Sequence, residues 1–387
     1  MAQLEIFISA GDPSGERHAA RLIKALRIIA GEVRVSGIGG PAMQAEGASL
    51  ICPQERLAVM GLTEVLCHLR FFLDLLRQLE THLEKTRPHL IVLIDFPDFN
   101  FRLARIARRL NIPVLYYISP QVWAWRSGRK RTLTRLSDRI AVVFPFEVDF
   151  YRDCGADVEF VGHPLASELE VPTGREEFFA RHGLDPGRVL VGLMPGSRVQ
   201  EVRRHSVPFG AAARRMRERR GELQFAAGML PHTAAALPGP ARKLFDQLDV
   251  REILDDSLSL IAHSDVLITK SGTTTMEAAL LGTPMVIGYR TGWLSYFIAR
   301  RLVKVHHIGM PNLLVDEPAV PELIQAELQP EAIAEKALEL LDEASPLRRR
   351  VLDQYGQVRR LLTTAKGASR RVAEIVLEMT GREVPDG

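Results

Sequence analysis

Short aliphatic and β-branched runs recur along the chain, each followed by a turn and a longer stretch whose apolar residues lie three and four apart. The short runs read as strands buried on both faces, and the longer ones as amphipathic helices. Leu4–Ala10 predicts a first strand, followed by the turn Gly11–Gly15 and a helix from Glu16 to Ala30. Val33–Ile38 predicts a second strand, ending in Gly39-Gly40-Pro41. Leu90–Ile94 and Val114–Ile118 are buried-strand runs with the helix Phe101–Leu110 between them, and Arg139–Val143 and Phe160–Val161 complete a first sheet. Pro164 to Arg188 is polar and carries Pro172, Gly174, Gly183, Pro186 and Gly187, the composition of a link between domains. The pattern then restarts with strand Val189–Met194, helix Val202–Arg220, strands Leu223–Ala227 and Val266–Thr269, helix Thr274–Leu281 and strand Met285–Tyr289. Pro330 to Gly381 is helical without strands. Alternation of this kind implies parallel sheets. The expected fold is α/β, two Rossmann-like doubly wound domains with an interdomain cleft that strand carboxyl ends face. The boundaries are 1–165 and 166–345, with 346–387 as C-terminal helices.

Composition narrows the classes of function. The 387 residues suit two domains, and 46% hydrophobic with 25% charged residues are ordinary globular values. Lysine and arginine number 50 against 47 acids, a net +3, too mild to require nucleic acid as partner. Cys52, Cys67 and Cys154 match no zinc spacing and fit a reducing compartment. Met1–Ala10 lacks a basic-then-apolar signal pattern. No apolar run approaches the roughly 20 residues of a spanning helix, so a soluble or peripheral protein is expected.

Candidate chemistry gathers in turns that follow strands. Pro195-Gly196-Ser197-Arg198 precedes a helix: Gly196 and Ser197 let backbone and hydroxyl approach an anion, and Arg198 offers a two-pronged contact to phosphate. A plain turn with a surface arginine is the competing reading. Lys270-Ser271-Gly272-Thr273-Thr274-Thr275-Met276-Glu277 brings helix-start N–H groups and hydroxyls to a diphosphate, with Glu277 placed to accept from a ribose diol. The same spacing also makes a threonine cap with Glu277 as its partner. Two such turns in one half favour a nucleotide diphosphate. No Walker spacing or complete G-x-G-x-x-G follows a strand, which counts against ATPases and dehydrogenases.

In the first half, Asp95-Phe96-Pro97-Asp98-Phe99-Asn100 closes a buried strand. Asp95 is the candidate general base for a sugar hydroxyl, and Asp98 a helix cap or orienting group. Gly11, Asp12 and Ser14, with Glu16, either shape an acceptor pocket or form a plain turn. No Asp-x-Asp motif stands beside the diphosphate turns and no histidine spacing suits a metal, so neither metal nor cofactor is expected. Leu57–Leu83 carries Val65, Leu66, Leu69, Phe72, Leu73 and Leu76 at helical spacing, a stripe that reads either as core or as membrane-facing. Trp123 and Trp125 before Arg126, Arg129, Lys130, Arg131 and Arg135, and Trp293 and Phe297 before Arg300, Arg301 and Lys304, suit either an anionic bilayer or a solvated face.

These runs resemble the lipid-A-disaccharide synthase family, inverting glycosyltransferases of the GT-B type (family 19), along nearly the whole chain. The resemblance rests on Ser9–Gly15, Gly39–Gly47, Leu57–Gly61, Asp95–Asn100, Ser119–Arg126, Leu193–Arg198, Ser271–Glu277 and Pro311–Leu314. The Trp-containing and Met-Gln-Ala-Glu-Gly segments are the specific ones. It implies transfer from UDP-2,3-diacylglucosamine to 2,3-diacylglucosamine 1-phosphate (lipid X) through a β-1,6 bond, with release of UDP, at the cytoplasmic face of the inner membrane. By position it implies Asp95 as base, Arg198 on the diphosphate, and Asn312 and Glu277 as further site residues. It implies an acceptor-binding first domain and a UDP-sugar-binding second one. The C-terminal helices would pack back on the first domain or on a partner chain in a homodimer. The first loop departs from the family's Gly-Glu-x-Ser-Gly-Asp: here it is Gly11-Asp12-Pro13-Ser14-Gly15-Glu16, with the two acids exchanged in length. Rival expectations are a UDP-N-acetylglucosamine 2-epimerase on the same fold, and a peripheral membrane protein that binds acylated sugars without chemistry.

Overall fold

The computed structural model describes residues 3–58, 65–125, 127–293, 296–297, 301 and 306–384. The chain forms two compact units, 1–167 with 362–387, and 168–361.

The first unit is built on seven strands: β1 (Leu4–Ala10), β2 (Val33–Gly39), β3 (Ser49–Pro53), β4 (Leu90–Ile94), β5 (Val114–Tyr117), β6 (Arg139–Val142) and β7 (Val158–Phe160). All neighbouring strands run parallel, in the order β3-β2-β1-β4-β5-β6-β7. Every residue of β4, Leu-Ile-Val-Leu-Ile, is buried, as a central strand covered on both faces requires. The chain leaves β1 towards β2 on one side and returns through β4 on the other. The sheet therefore has its reversal point between β1 and β4, where doubly wound folds bind ligands.

The second unit repeats the scheme with β8 (Val189–Met194), β9 (Leu223–Met229), β10 (Arg251–Leu254), β11 (Val266–Lys270), β12 (Met285–Tyr289) and β13 (Glu322–Ile324). These are also parallel, in the order β10-β9-β8-β11-β12-β13, with the reversal between β8 and β11. The fold class is thus two parallel-sheet, doubly wound α/β domains.

The segment 346–387 does not act as one block. Helix Pro346–Leu362 buries Leu347, Val351 and Tyr355 in the core of the second unit. Helix Ala368–Met379 packs on helix Pro13–Ala30 in the first unit. Arg139 to Glu378 and Arg371 to Glu159 fasten it to the β6–β7 edge.

Helix Val65–Thr86 settles part of the apolar stripe. Leu75, Leu76, Leu79 and Leu83 fall on one face and enter the first core, and Phe72 packs against Phe99 with ring centroids 6.0 Å apart. Leu76 is thus buried and Phe72 half-buried against the core, which supports the core reading of the stripe at these two positions over the membrane reading. Leu73 is 45% exposed. The side chains of Val65, Leu66, Leu69 and Trp125, together with residues 59–64, Arg126, Arg300 and Lys304, lie outside the described residues. Trp123 is half-buried, its ring edge-on to Phe146, whereas Trp293 is 80% exposed. Among the described residues no helix is long and apolar enough to cross a membrane.

Candidate active site

In the first unit, Ala10 lies opposite Ile94, so the loops leaving β1 and β4 begin side by side. Asp12 caps helix Pro13–Ala30, its carboxylate accepting from the Gly15 N–H at 2.6 Å. Pro13 takes the first helical position, where a missing N–H has no consequence. After β4 the backbone turns through two successive left-handed residues, Asp95 (φ 42°) and Phe96 (φ 45°). Each such residue stores on the order of 1–3 kcal/mol, so surrounding bonds must fix it. They do. The Asn100 amide donates to the carbonyls of Ile94 (3.1 Å) and Asp95 (2.8 Å), and its oxygen accepts from the buried Ser9 hydroxyl (2.7 Å). The buried Tyr116 hydroxyl donates to the same Asp95 carbonyl at 2.6 Å. Gly11 is obligatory beside this turn because a Cβ there would collide with the Phe96 ring.

Burial pushes the Asp95 carboxyl up from 3.8 to about 7, and the nearby Asp12 charge adds to it, against a backbone hydrogen bond from Phe96 that favours the ionised form. A carboxyl group poised near neutrality is suited to take a proton from a hydroxyl. Asp98 is not the helix cap. The cap position is Phe96, and Asp98 lies exposed in the first turn of helix Pro97–Arg109, paired with Arg129 at 2.7 Å. Ser14, half-buried, sits in the first turn of helix Pro13–Ala30. Glu16 is buried on a different errand. It accepts from the Ala42 N–H at 2.6 Å and from the Gln54 amide, which fixes the turn after β2.

In the second unit, Met194 lies opposite Thr269, which sets the two candidate anion turns next to each other. Glu201, in the first turn of helix Val199–Arg219, accepts from the N–H groups of Ser197 (3.1 Å) and Arg198 (3.3 Å). It also meets Lys270 Nζ at 3.1 Å. Gly196, at φ +133°, makes room for this carboxylate, since a Cβ would press on Glu201 at 2.5 Å. The expectation that this turn's backbone cradles an anion is corrected for Ser197 and Arg198, whose N–H groups already have Glu201 as their acceptor. What this turn offers is the Arg198 side chain, 81% exposed, and the exposed Ser197.

After β11, helix Thr273–Leu281 starts directly behind Gly272, with Thr273 exposed and Thr274 half-buried at its positive end. The Ser271 hydroxyl donates to the Ile308 carbonyl at 2.6 Å, so it secures a neighbouring segment. Glu277 is half-buried further along the helix. Asn312 is placed otherwise than expected. It is buried, its amide donates to the Val320 carbonyl and to Glu322, and its oxygen accepts from the Val320 N–H and the Gln354 amide. All four of its hydrogen-bonding positions are used inside the fold, which gives its side chain a structural role in this arrangement. Among the described residues no group of three or more His, Cys, Asp and Glu is placed to hold a metal ion.

A family model described as lipid-A-disaccharide synthetase matches residues 6–376. The chain belongs to the lipid-A-disaccharide synthase family. It is 42% identical over 381 residues to the lipid-A-disaccharide synthase of Geobacter sulfurreducens, covering 98% of each chain. It is 41% identical over 378 residues to that of Nitrosococcus oceani, covering 97% of this chain and 96% of the relative.

Solved structures share the fold of this lipid-A-disaccharide synthase family member at low identity. A crystal structure of the glycotransferase of kitacinnamycin aligns with TM-score 0.67 at 16% identity, covering all of both chains. The UDP-GlcNAc 2-epimerase of Neisseria meningitidis bound to UDP-GlcNAc aligns with TM-score 0.65 at 12% identity, covering 97% of this chain and 100% of the other. Within the family frame, four residues absent from the sequence-based site are now visible: Asn100 and Tyr116, which hold Asp95, and Glu201 and Lys270, which hold the arginine turn. Asn100 closes the Asp95–Asn100 motif itself and was legible there. Tyr116 carries no local signal, since it reaches Asp95 from the neighbouring strand.

Proposed function

We propose that the chain transfers 2,3-diacylglucosamine from its UDP donor to the 6-hydroxyl of 2,3-diacylglucosamine 1-phosphate, forming a β-1,6 bond and releasing UDP. Asp95 takes the hydroxyl proton as the oxygen attacks the anomeric carbon. The bond to UDP breaks, its electron pair leaves on the diphosphate, and the anomeric centre inverts. Arg198 and the start of helix Thr273–Leu281 meet the negative charge that grows there. Asp12 and Ser14 belong to the acceptor side, with Gly11 giving the turn its shape, and Ser197, Thr274 and Glu277 to the nucleotide side.

The observation that carries this reading is Asp95. It stands at the end of a central strand, at the sheet's reversal point, on a strained backbone whose carbonyl accepts from Asn100 and Tyr116, with its carboxyl raised to about 7. Substrates with acyl chains call for contact with a membrane surface. We place that contact at exposed apolar residues such as Leu73, Trp293 and Phe297 on the cytoplasmic face of an inner membrane. The test is incubation of the purified protein with both acylated glucosamines and mass analysis for the disaccharide. Disaccharide and UDP in equal amounts are expected. UDP-GlcNAc epimerisation without disaccharide would favour the epimerase reading, and binding of acylated sugar without either product the binding-only one.

A further inference from the structure

The turn that presents Arg198 has an unusual charge balance. Glu201 organises it, accepting from the N–H groups of Ser197 and Arg198 and lying 3.4 Å from the Arg198 guanidinium. That carboxylate cancels the charge of the one exposed cation in the turn, which is the wrong state for receiving a diphosphate. Lys270 ends β11 on the neighbouring strand and reaches the same Glu201 oxygen, Oε1, at 3.1 Å, while Oε2 takes the two N–H groups; the Lys270 and Glu201 side chains are only 17% and 16% exposed. Its path crosses Gly272, where a Cβ would stand 2.8 Å from Lys270 Nζ. The ammonium is thereby held near the positive end of helix Thr273–Leu281, an unfavourable place for a cation unless an anion stands beside it.

We infer that Lys270 is a positioning residue for the diphosphate: by taking up the Glu201 carboxylate, it lets Glu201 brace the turn without cancelling Arg198. Glu201 with Arg198 alone sums to zero, and Lys270 restores one net positive charge at the reversal point of the second sheet. The inference rests on the diphosphate being held in this unit, as proposed above.

The experiment measures UDP affinity by titration calorimetry across a range of salt concentrations, for the full chain and for Lys270→Met, Lys270→Arg, Glu201→Gln and the Lys270→Met/Glu201→Gln pair. Lys270→Met leaves Glu201 free to neutralise Arg198, and UDP binding is expected to weaken about tenfold. Its salt dependence should become shallower, a change that a purely structural defect would not produce. Lys270→Arg should bind within about twofold of the parent. The paired variant keeps an acceptor for the turn and regains the charge balance, so it should recover most of the affinity. Parent-like binding by Lys270→Met, or a paired variant as weak as Lys270→Met, overturns the inference and leaves the proposed function standing. Failure of the parent chain itself to bind UDP overturns both.

Discussion

Replacing Asp95 with asparagine should make the protein more stable and nearly inactive, and the gain should depend on pH. Asparagine matches aspartate in shape and tolerates the left-handed backbone at this position, so the substitution removes charge and little else. The native carboxyl titrates at about 7 against 3.8 when unperturbed. Because the folded value lies above the unfolded one, ionisation costs the native state. That destabilisation is complete above about pH 7, shrinks through the window down to 3.8, and is gone below it. A shift of about three units corresponds to a ceiling of about 4 kcal/mol. The side chain keeps some solvent contact, which halves this to about 2 kcal/mol. For a unit of this size that is about 4–8 °C in Tm.

Thermal unfolding of parent and Asp95→Asn between pH 4 and pH 8 checks the expectation, with turnover measured in parallel. The difference should be largest at pH 8 and vanish near pH 4, while turnover falls by about 10²–10⁴-fold. A difference that is absent at pH 8, or that stays constant across the range, would refute the idea that folding desolvates this charge. Parent-like turnover in the variant would remove Asp95 as the base.

The kcat/KM profile of the parent should rise with pH to a plateau above about 7, the direction expected when a base must be deprotonated. Asp12→Asn keeps an acceptor for the Gly15 N–H but removes the second cause of the Asp95 shift, so the midpoint of that profile should move to lower pH. Gly11→Ala forces the Phe96 ring aside and should cost about 1–3 kcal/mol of stability together with turnover, read by unfolding and by disaccharide formation. Arg198→Ala should weaken UDP binding about tenfold and leave Tm unchanged, since the side chain is exposed; equal UDP affinity would count against its contact with the diphosphate. Asn312→Ala strands the Gln354 amide and the Val320 backbone and should lower stability by about 2–4 kcal/mol, and a fully stable but inactive variant would return Asn312 to the chemistry.

The central strands were legible in the sequence because burial on both faces leaves uninterrupted apolar runs such as Leu90–Ile94. The strands that the pattern missed, β3, β10 and β13, lie at sheet edges or are only partly buried, and three to five residues with mixed burial carry no clear period. The helix starts at Asp12-Pro13 and Phe96-Pro97 were written in the prolines, which favour the first helical position. Reading the helices from Glu16 and Phe101 placed the motifs in loops rather than in first turns. The pairing of Asp12 with Asp95 was not legible at all. It depends on β1 lying beside β4, and strand order is a property of the assembled sheet that no local spacing records.

The same limit explains why the polar residues of the candidate site divide as they do. Asp95, Asn312 and Glu201 are each a polar side chain in or beside the candidate motifs, and their spacing in the sequence does not say which of them the fold itself consumes. Hydrogen-bond saturation separates them. Asn312 spends every donor and acceptor on the fold, and Glu201 spends its carboxylate on two N–H groups and two cations. Asp95 has its backbone fixed by Asn100 and Tyr116, while its carboxyl is raised by burial and by a like charge. A polar group whose bonds are complete holds structure together. One whose backbone is held in a strained form while its side chain stays electrostatically unsatisfied has free energy left to give to a substrate.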